Sequence, residues 1–189
     1  MQMLKLMRSH IFFIKLRFKI KLQNALNKCN TQLLIGKNVQ VHSNIWLRIG
    51  QNSILKIGDN SFFGNGCRIE CSSGANLSIG NNVNFTGYDF IACMKSVKIG
   101  SNSLIGEFTS IRDSNHSFTD LDSLINSQGY TMGEIEISED VWIGRGSIVL
   151  PNVSIGTHSV IGANSVVNTD VAQFSVVAGV PAREIKKLK

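Results

Sequence analysis

From residue 33 onward an aliphatic or aromatic residue recurs at every sixth position, often followed by Gly and, four positions after the apolar residue, by a small one. The pattern is plainest in IGDNSF (57–62), FGNGCR (63–68), IGSNSL (99–104), IGRGSI (143–148), IGTHSV (155–160) and IGANSV (161–166). Such a period belongs to a solenoid in which three hexads close one coil. Grouped by threes, the apolar anchors are Ile35, Val41, Leu47; Ile57, Phe63, Ile69; Ile79, Phe85, Ile91; Ile99, Ile105, Ile111; Ile137, Ile143, Val149; and Ile155, Ile161, Val167. Steps inside a group are always 6, whereas the steps between groups are 10 (47 to 57), 10 (69 to 79), 8 (91 to 99), 26 (111 to 137) and 6 (149 to 155). Extra residues therefore enter at one corner only, as three flat faces stacking at about 4.8 Å per coil require. The pattern predicts an all-β chain: a triangular parallel β-helix of about six coils over residues 33–175, roughly 25–30 Å tall. A loop is extruded at 112–136, a C-terminal tail covers 176–189, and residues 1–32 form an N-terminal arm.

That arm has two periods. Leu4, Met7, Ile11, Ile14, Phe18, Leu22 and Ala25 fit one helical stripe, while residues 14–22 (IKLRFKIKL) also alternate as a half-buried strand would, and the helix is the preferred reading. Charge changes the picture here. Residues 1–58 hold ten Lys or Arg and no acid, and the remaining chain holds nine bases and thirteen acids, a net of 9 − 13 = −4. Within the arm Lys5, Arg8, Lys15, Arg17, Lys19, Lys21 and Lys28 interrupt every apolar run, which excludes a bilayer span of about 18 apolar residues and disfavours a signal peptide. Two readings stand side by side: the arm lies on an anionic membrane surface, or it packs against the body or a sister subunit. Nucleic-acid binding is not expected, since no binding motif accompanies the cations and the rest of the chain is acidic.

With 189 residues the chain is one domain, and 17 glycines against 2 prolines with 17% charged residues exclude a disordered or proline-rich linker protein. Cys29, Cys67, Cys71 and Cys93 show no paired metal-ligand spacing. They read as reduced thiols of a cytoplasmic protein, with peripheral contact to the inner membrane as an option through the arm, and neither a disulfide framework nor a metal site is expected.

The hexads, and above all VWIG at 141–144, GANSVV at 162–167 and VVAGVPAREIKK at 176–187, resemble the hexapeptide-repeat acyltransferases, in particular the galactoside, maltose and polysaccharide O-acetyltransferase branch. The resemblance runs over residues 33–189. It implies a left-handed β-helix, a homotrimer and acetyl-CoA as co-substrate with no metal required. It also implies that Trp142 lines the pantetheine channel, that Arg145 and Ala163 contact the pantetheine arm, and that Arg183 and Lys186 approach the nucleotide phosphates. Asn168 and Thr169 stand where the family usually has Thr-Lys, which leaves a lysine contact in doubt. Trp142 equally suits a cap on its coil, and Arg183, Lys186, Lys187 and Lys189 a solvated basic tail.

Transfer to a hydroxyl needs a base, and His116 lies in RDSNHSF inside the one long insertion, where a rigid scaffold presents a loop. A neutral imidazole at pH 7 can take the hydroxyl proton while the oxygen attacks the thioester. Asp113, three residues earlier, either orients that ring or caps a turn, and Glu134 or Glu136 could serve in its place or be ordinary solvated charges. For a saccharide acceptor the candidates are Asn84, Tyr88, Asp89 and Glu107. Asp89 falls on an inward position usually given to a small residue, where a buried carboxylate needs a partner or a role. Galactoside-type members carry a carboxylate before the VKIG hexad; here Cys93-Met94 stands there, which argues against a plain β-galactoside acceptor. The expected activity is O-acetylation of a sugar in a bacterial surface polysaccharide. The alternative is N-acylation of a nucleotide-linked amino sugar, whose enzymes commonly add an N-terminal domain that about 30 residues cannot form. A non-catalytic solenoid or the zinc carbonic anhydrase variant is disfavoured, because His42, His116 and His158 are far apart in sequence.

Overall fold

The computed structural model describes residues 2–42 and 44–188; the side chains of residues 2–5, Leu4 and Lys5 among them, and Lys189 lie outside the described part. The chain is a left-handed parallel β-helix preceded by one helix, α1 (Gln2–Asn27). Three parallel sheets form the faces of a triangular prism. The first runs from Gln32–Ile35 to Val153–Ile155 in six strands, the second from Gln40–Val41 to Ser175–Ala178, and the third from Trp46–Ile49 to Val166–Val167 in six.

The register is the one the six-residue period predicts. Ile57 pairs with Ile35 and Ile79, Phe63 with Val41 and Phe85, and Ile69 with Leu47 and Ile91, and the same columns continue through Ile155, Ile161 and Val167. Each anchor points inward, so every coil lays its three anchors on those of the next, and from Ile57 onward all of them are buried. Phe63 and Phe85 stack with ring centroids 4.8 Å apart. Fully burying such a side chain contributes about 2–3 kcal/mol, which is why a body almost devoid of helix holds together. Beyond the sixth coil the columns go one step further: Val171 bridges to Ile155, Val177 pairs with Ile161, and the strand Arg183–Lys187 folds back antiparallel on Ser175–Ala178. The stretch expected as a tail is thus partly a seventh rung.

At the other end Ile35, Val41 and Leu47 have no coil beneath them, and α1 covers them with Phe12, Phe13, Leu16 and Ile20. Ser9 accepts the backbone N–H of Val41 at 3.0 Å, and Asn24 exchanges two hydrogen bonds with the Thr31 backbone at 2.9 and 3.0 Å. The helix reading of residues 14–22 holds and the strand alternative does not, because capping an open coil needs apolar residues spaced i, i+3, i+7, as Phe13, Leu16 and Ile20 are. The stripe visible in the sequence is nonetheless the other face: Met7, Ile11, Ile14, Phe18 and Leu22 are exposed. Among the described residues no helix is long and apolar enough to cross a membrane.

Candidate functional site

Along two edges of the prism the chain turns with a residue in the left-handed region, where a side chain without hydrogen-bonding capacity is strained. Between the first and second sheets these residues are Asn38, Asn60, Asn82, Asn102, Asp140, His158 and Phe174. Their amides bond from coil to coil, Asn38 to Asn60 at 3.1 Å, Asn60 to Asn82 at 3.3 Å and Asn82 to Asn102 at 2.9 Å, and His158 continues the column on Asp140.

Between the second and third sheets the same position is held by Gly66, Tyr88, Phe108, Gly146 and Asn164. Tyr88 (φ 56°) and Phe108 (φ 63°) are bulky residues in a conformation that disfavours them, and their rings stack at 5.3 Å and 13° while remaining half exposed. A Cβ on Gly66 would lie 2.5 Å from the Tyr88 ring, so glycine there is what lets the ring lie flat along the edge. Asn65 donates to the Tyr88 hydroxyl at 3.0 Å, Arg145 pairs with Glu107 at 3.2 Å, and its guanidinium sits 5.9 Å from the centre of Phe108. Thr86 reaches both the Ile105 carbonyl and Glu107. Two acceptor oxygens, Oδ1 of Asn65 and of Asn84, are buried with no hydrogen-bond partner among the described residues.

Beneath this edge lies Asp89, which accepts the N–H groups of Gly87 and Thr109 at 3.1 Å each and the Cys67 thiol at 3.7 Å. Burial outweighs those donors and lifts the Asp89 carboxyl to about 7, with Glu107 adding to the rise. Burial first, and the nearby Asp89 charge second, push the Cys67 thiol up to about 12.

The third corner carries the insertion. Ser114–His116 and Tyr130–Met132 form a two-stranded antiparallel ribbon that presents an exposed His116 ring 4.5 Å from the ring of Tyr130. At the ribbon's tip Asp120 binds the Ser123 hydroxyl at 2.7 Å and the Asp122 N–H at 3.0 Å, which together hold its carboxyl below the usual carboxylate value. Asp113 is fully buried at the root, where it accepts the N–H groups of Met94, Lys95 and Ser96 at 2.7, 2.7 and 2.9 Å. Three backbone amides thus meet its two oxygens, one on Oδ1 and two on Oδ2, and none of the hydrogen bonds of Asp113 runs to the imidazole. Glu134 pairs with Lys95 at 3.1 Å and Glu136 with Lys98 at 2.6 Å, so neither reaches His116.

The remaining expected residues divide by position. Trp142 is exposed beside Leu104 on the second sheet, and Ala163 packs its backbone onto Gly144, whose added Cβ would meet the Ala163 nitrogen at 2.6 Å. Thr169 and Arg183 line one small cavity of about 110 Å³ at the C-terminal end, with Asn168 just before Thr169 and Lys186 further along the terminal strand. Within one chain the edge of Tyr88, Glu107 and Arg145 is separated from the His116 ribbon by the width of the third sheet, five residues or roughly 15 Å.

The family model of the bacterial transferase hexapeptide (six repeats) matches residues 134–169. A protein of Escherichia coli K12 described as a lipopolysaccharide biosynthesis O-acetyl transferase, WbbJ, is 35% identical over 131 residues, 66% of this chain and 67% of that one. The chain belongs to the hexapeptide-repeat acyltransferase family. Galactoside O-acetyltransferase of the same organism is 35% identical over 117 residues, 62% of this chain and 57% of its own length. Among solved structures, an N-acyltransferase of Bacillus cereus, AntD, shares the fold with a TM-score of 0.70 at 22% identity, covering 88% of this chain and 89% of that one. Acetyl-CoA is the co-substrate of the hexapeptide-repeat acetyltransferases, and no group of metal-ligating side chains occurs among the described residues of this chain.

Three neighbours of the site escape a reading by residue type. Phe108, Asn65 and Tyr130 carry no chemistry that marks them in isolation. Phe108 did leave a signal: in IGEF it fills the place that Gly or Asn holds in FGNG, IGRG and IGAN.

Proposed function

We propose that this acyltransferase moves the acetyl group of acetyl-CoA onto a hydroxyl of a bacterial surface polysaccharide, as a homotrimer with each site between subunits. The observation that carries this reading is the His116 ribbon, which holds an exposed imidazole away from the body on a strand rooted by Asp113. His116 takes the proton of the acceptor hydroxyl as its oxygen attacks the thioester carbonyl. The tetrahedral adduct then expels the thiolate, which recovers that proton from the imidazolium, and no acyl-enzyme forms. Asp113 acts as a positioning residue through the ribbon.

Tyr88 and Phe108 offer the sugar an apolar face, and Asn84 and Glu107 supply polar contacts beside it, with Asp89 buried beneath and holding the Gly87 and Thr109 amides rather than the sugar. Trp142, Arg145, Ala163, Asn168, Thr169, Arg183 and Lys186 receive coenzyme A, the basic terminal strand meeting its phosphates. A second subunit is required because one chain keeps the ribbon and the aromatic edge a sheet's width apart. Similarity to an O-acetyl transferase supports transfer to oxygen.

Labelled acetyl-CoA offered with surface polysaccharides, sugars and amino-sugar nucleotides tests the acceptor: label in polysaccharide is expected, and base-stable label in an amino-sugar nucleotide overturns it. Mixed trimers of His116→Ala and Arg183→Ala chains should regain activity, and failure in verified mixed trimers places both residues in one subunit's site.

A further inference from the structure

Helix α1 has two apolar faces, and the fold uses one. At 3.6 residues per turn Ser9, Phe13, Leu16 and Ile20 share the face laid on the first coil, and Met7, Ile11, Ile14, Phe18 and Leu22 share the opposite one. The outward five range from 45% exposed at Ile11 to 71% at Phe18. They form an unbroken stripe roughly 23 Å long, the rise of 15 residues. Cations border it on both sides: Arg8, Lys15 and Lys19 on one flank, Arg17 and Lys21 on the other. Arg17 also reaches the Ile35 carbonyl at 3.4 Å. No acid occurs before Asp59, and among the described residues no salt bridge engages any of these cations.

We propose that this face of α1 docks on an anionic lipid bilayer, lying in the plane of the headgroups with the stripe inserted and the flanking cations against lipid phosphates. The arrangement is that of an interfacial helix, an apolar strip between two rows of cations. Charge separates this occupant from the other candidate. Two copies of the face brought together would oppose cation to cation, whereas a surface of anionic headgroups complements both flanks. The inner face, meanwhile, is clamped by Phe13, Ile20, Ser9 and Asn24, so the stripe is preformed rather than folded on contact.

The test uses the full chain and needs neither acetyl-CoA nor sugar, so its outcome is independent of the acceptor reading. Vesicles of phosphatidylcholine with about 30% phosphatidylglycerol are cosedimented with the protein at about 50 and 500 mM salt, beside vesicles of phosphatidylcholine alone. Binding to the anionic vesicles at low salt, weakened about tenfold or more at high salt, is expected. The double variant Ile14→Glu/Phe18→Glu should lose that binding about tenfold while keeping the wild-type melting temperature and sedimentation coefficient. Lys15→Gln/Lys19→Gln, which leaves the apolar stripe intact, should weaken binding to anionic vesicles alone and serves if the first variant misfolds. Wild-type protein that ignores anionic vesicles at low salt, or variants that dissociate the oligomer without changing vesicle binding, overturns the proposal.

Discussion

Two edges of the prism turn by the same backbone device and fill it differently. Along the edge between the first and second sheets, asparagine occupies the left-handed position in four successive coils and satisfies itself from coil to coil. Along the edge between the second and third sheets, two coils put Tyr88 and Phe108 there instead, next to Glu107, Arg145 and a buried carboxylate. Over those four coils the first edge is built for stability, since asparagine tolerates the conformation and its amide is never idle, and only its last rungs, at Asp140, His158 and Phe174, depart from the ladder. The second accepts strain of about 1–2 kcal/mol per residue, only partly offset by a ring stack of about 0.5–1.5 kcal/mol. Strain retained at such a place points to a ligand. The difference teaches that in a repeat the departures from the ladder, and not its regular members, mark the chemistry.

The largest effect should fall outside both edges. His116→Ala is expected to lower kcat by about 100-fold with melting temperature unchanged, since the ring is exposed and held by one aromatic neighbour. Near-normal turnover would remove the ribbon from the mechanism and leave the aromatic edge as the only reactive region.

Next is the pH response of Asp89. Its carboxyl sits at about 7 in the folded chain against about 3.9 for an unperturbed aspartate, so between those limits the folded state holds a proton that the unfolded state has lost. The stability linked to Asp89 is therefore present at low pH and is lost as pH rises through 7, by about 2.6 kcal/mol between pH 5 and 8 at about 1.36 kcal/mol per unit. Asp89→Asn should flatten this slope in thermal melts, and an equal slope in both proteins would show that the carboxylate is already charged at pH 5.

Exchange at the ladder positions separates the edges directly. Tyr88→Gly removes the strain and the ring together. The melting temperature should hold or rise while the KM for the saccharide acceptor rises about tenfold, the equivalent of about 1.4 kcal/mol of lost stacking. A fall in stability with unchanged KM would make Tyr88 structural. Asn82→Ala, on the quiet edge, should do the reverse, lowering stability by about 1 kcal/mol through strain and two lost amide bonds, with kcat and KM unaltered.

Much of the fold is legible in the sequence. The anchors follow from a period of six, because only inward residues must be apolar and the corners must admit glycine or asparagine. What escaped detection depends on contacts between coils. In the sequence Asp113 reads equally as a partner for His116 and as a turn cap, because its amide donors at 94–96 belong to the coil below, a neighbour in space about 20 residues distant in sequence. Glu136 likewise meets Lys98, its register partner across an insertion. For α1 the stripe was visible and its direction was not: both faces are apolar, and only the open end of the first coil decides which one is buried.

The confinement of every extra residue to one corner makes the chain a counter. Inside a hexad, one inserted or deleted residue turns every following side chain on that face inside out until the next corner, since strand residues alternate in direction. At the corner between the third and first sheets the count is reset: Asp113 ties the Ser114–His116 ribbon there without disturbing the pairing of Val97 with Ile135 on either side of the excursion. Variation in length can therefore accumulate at this corner at little risk to the fold, and new loops over the reacting groups can arise there without any anchor losing its place.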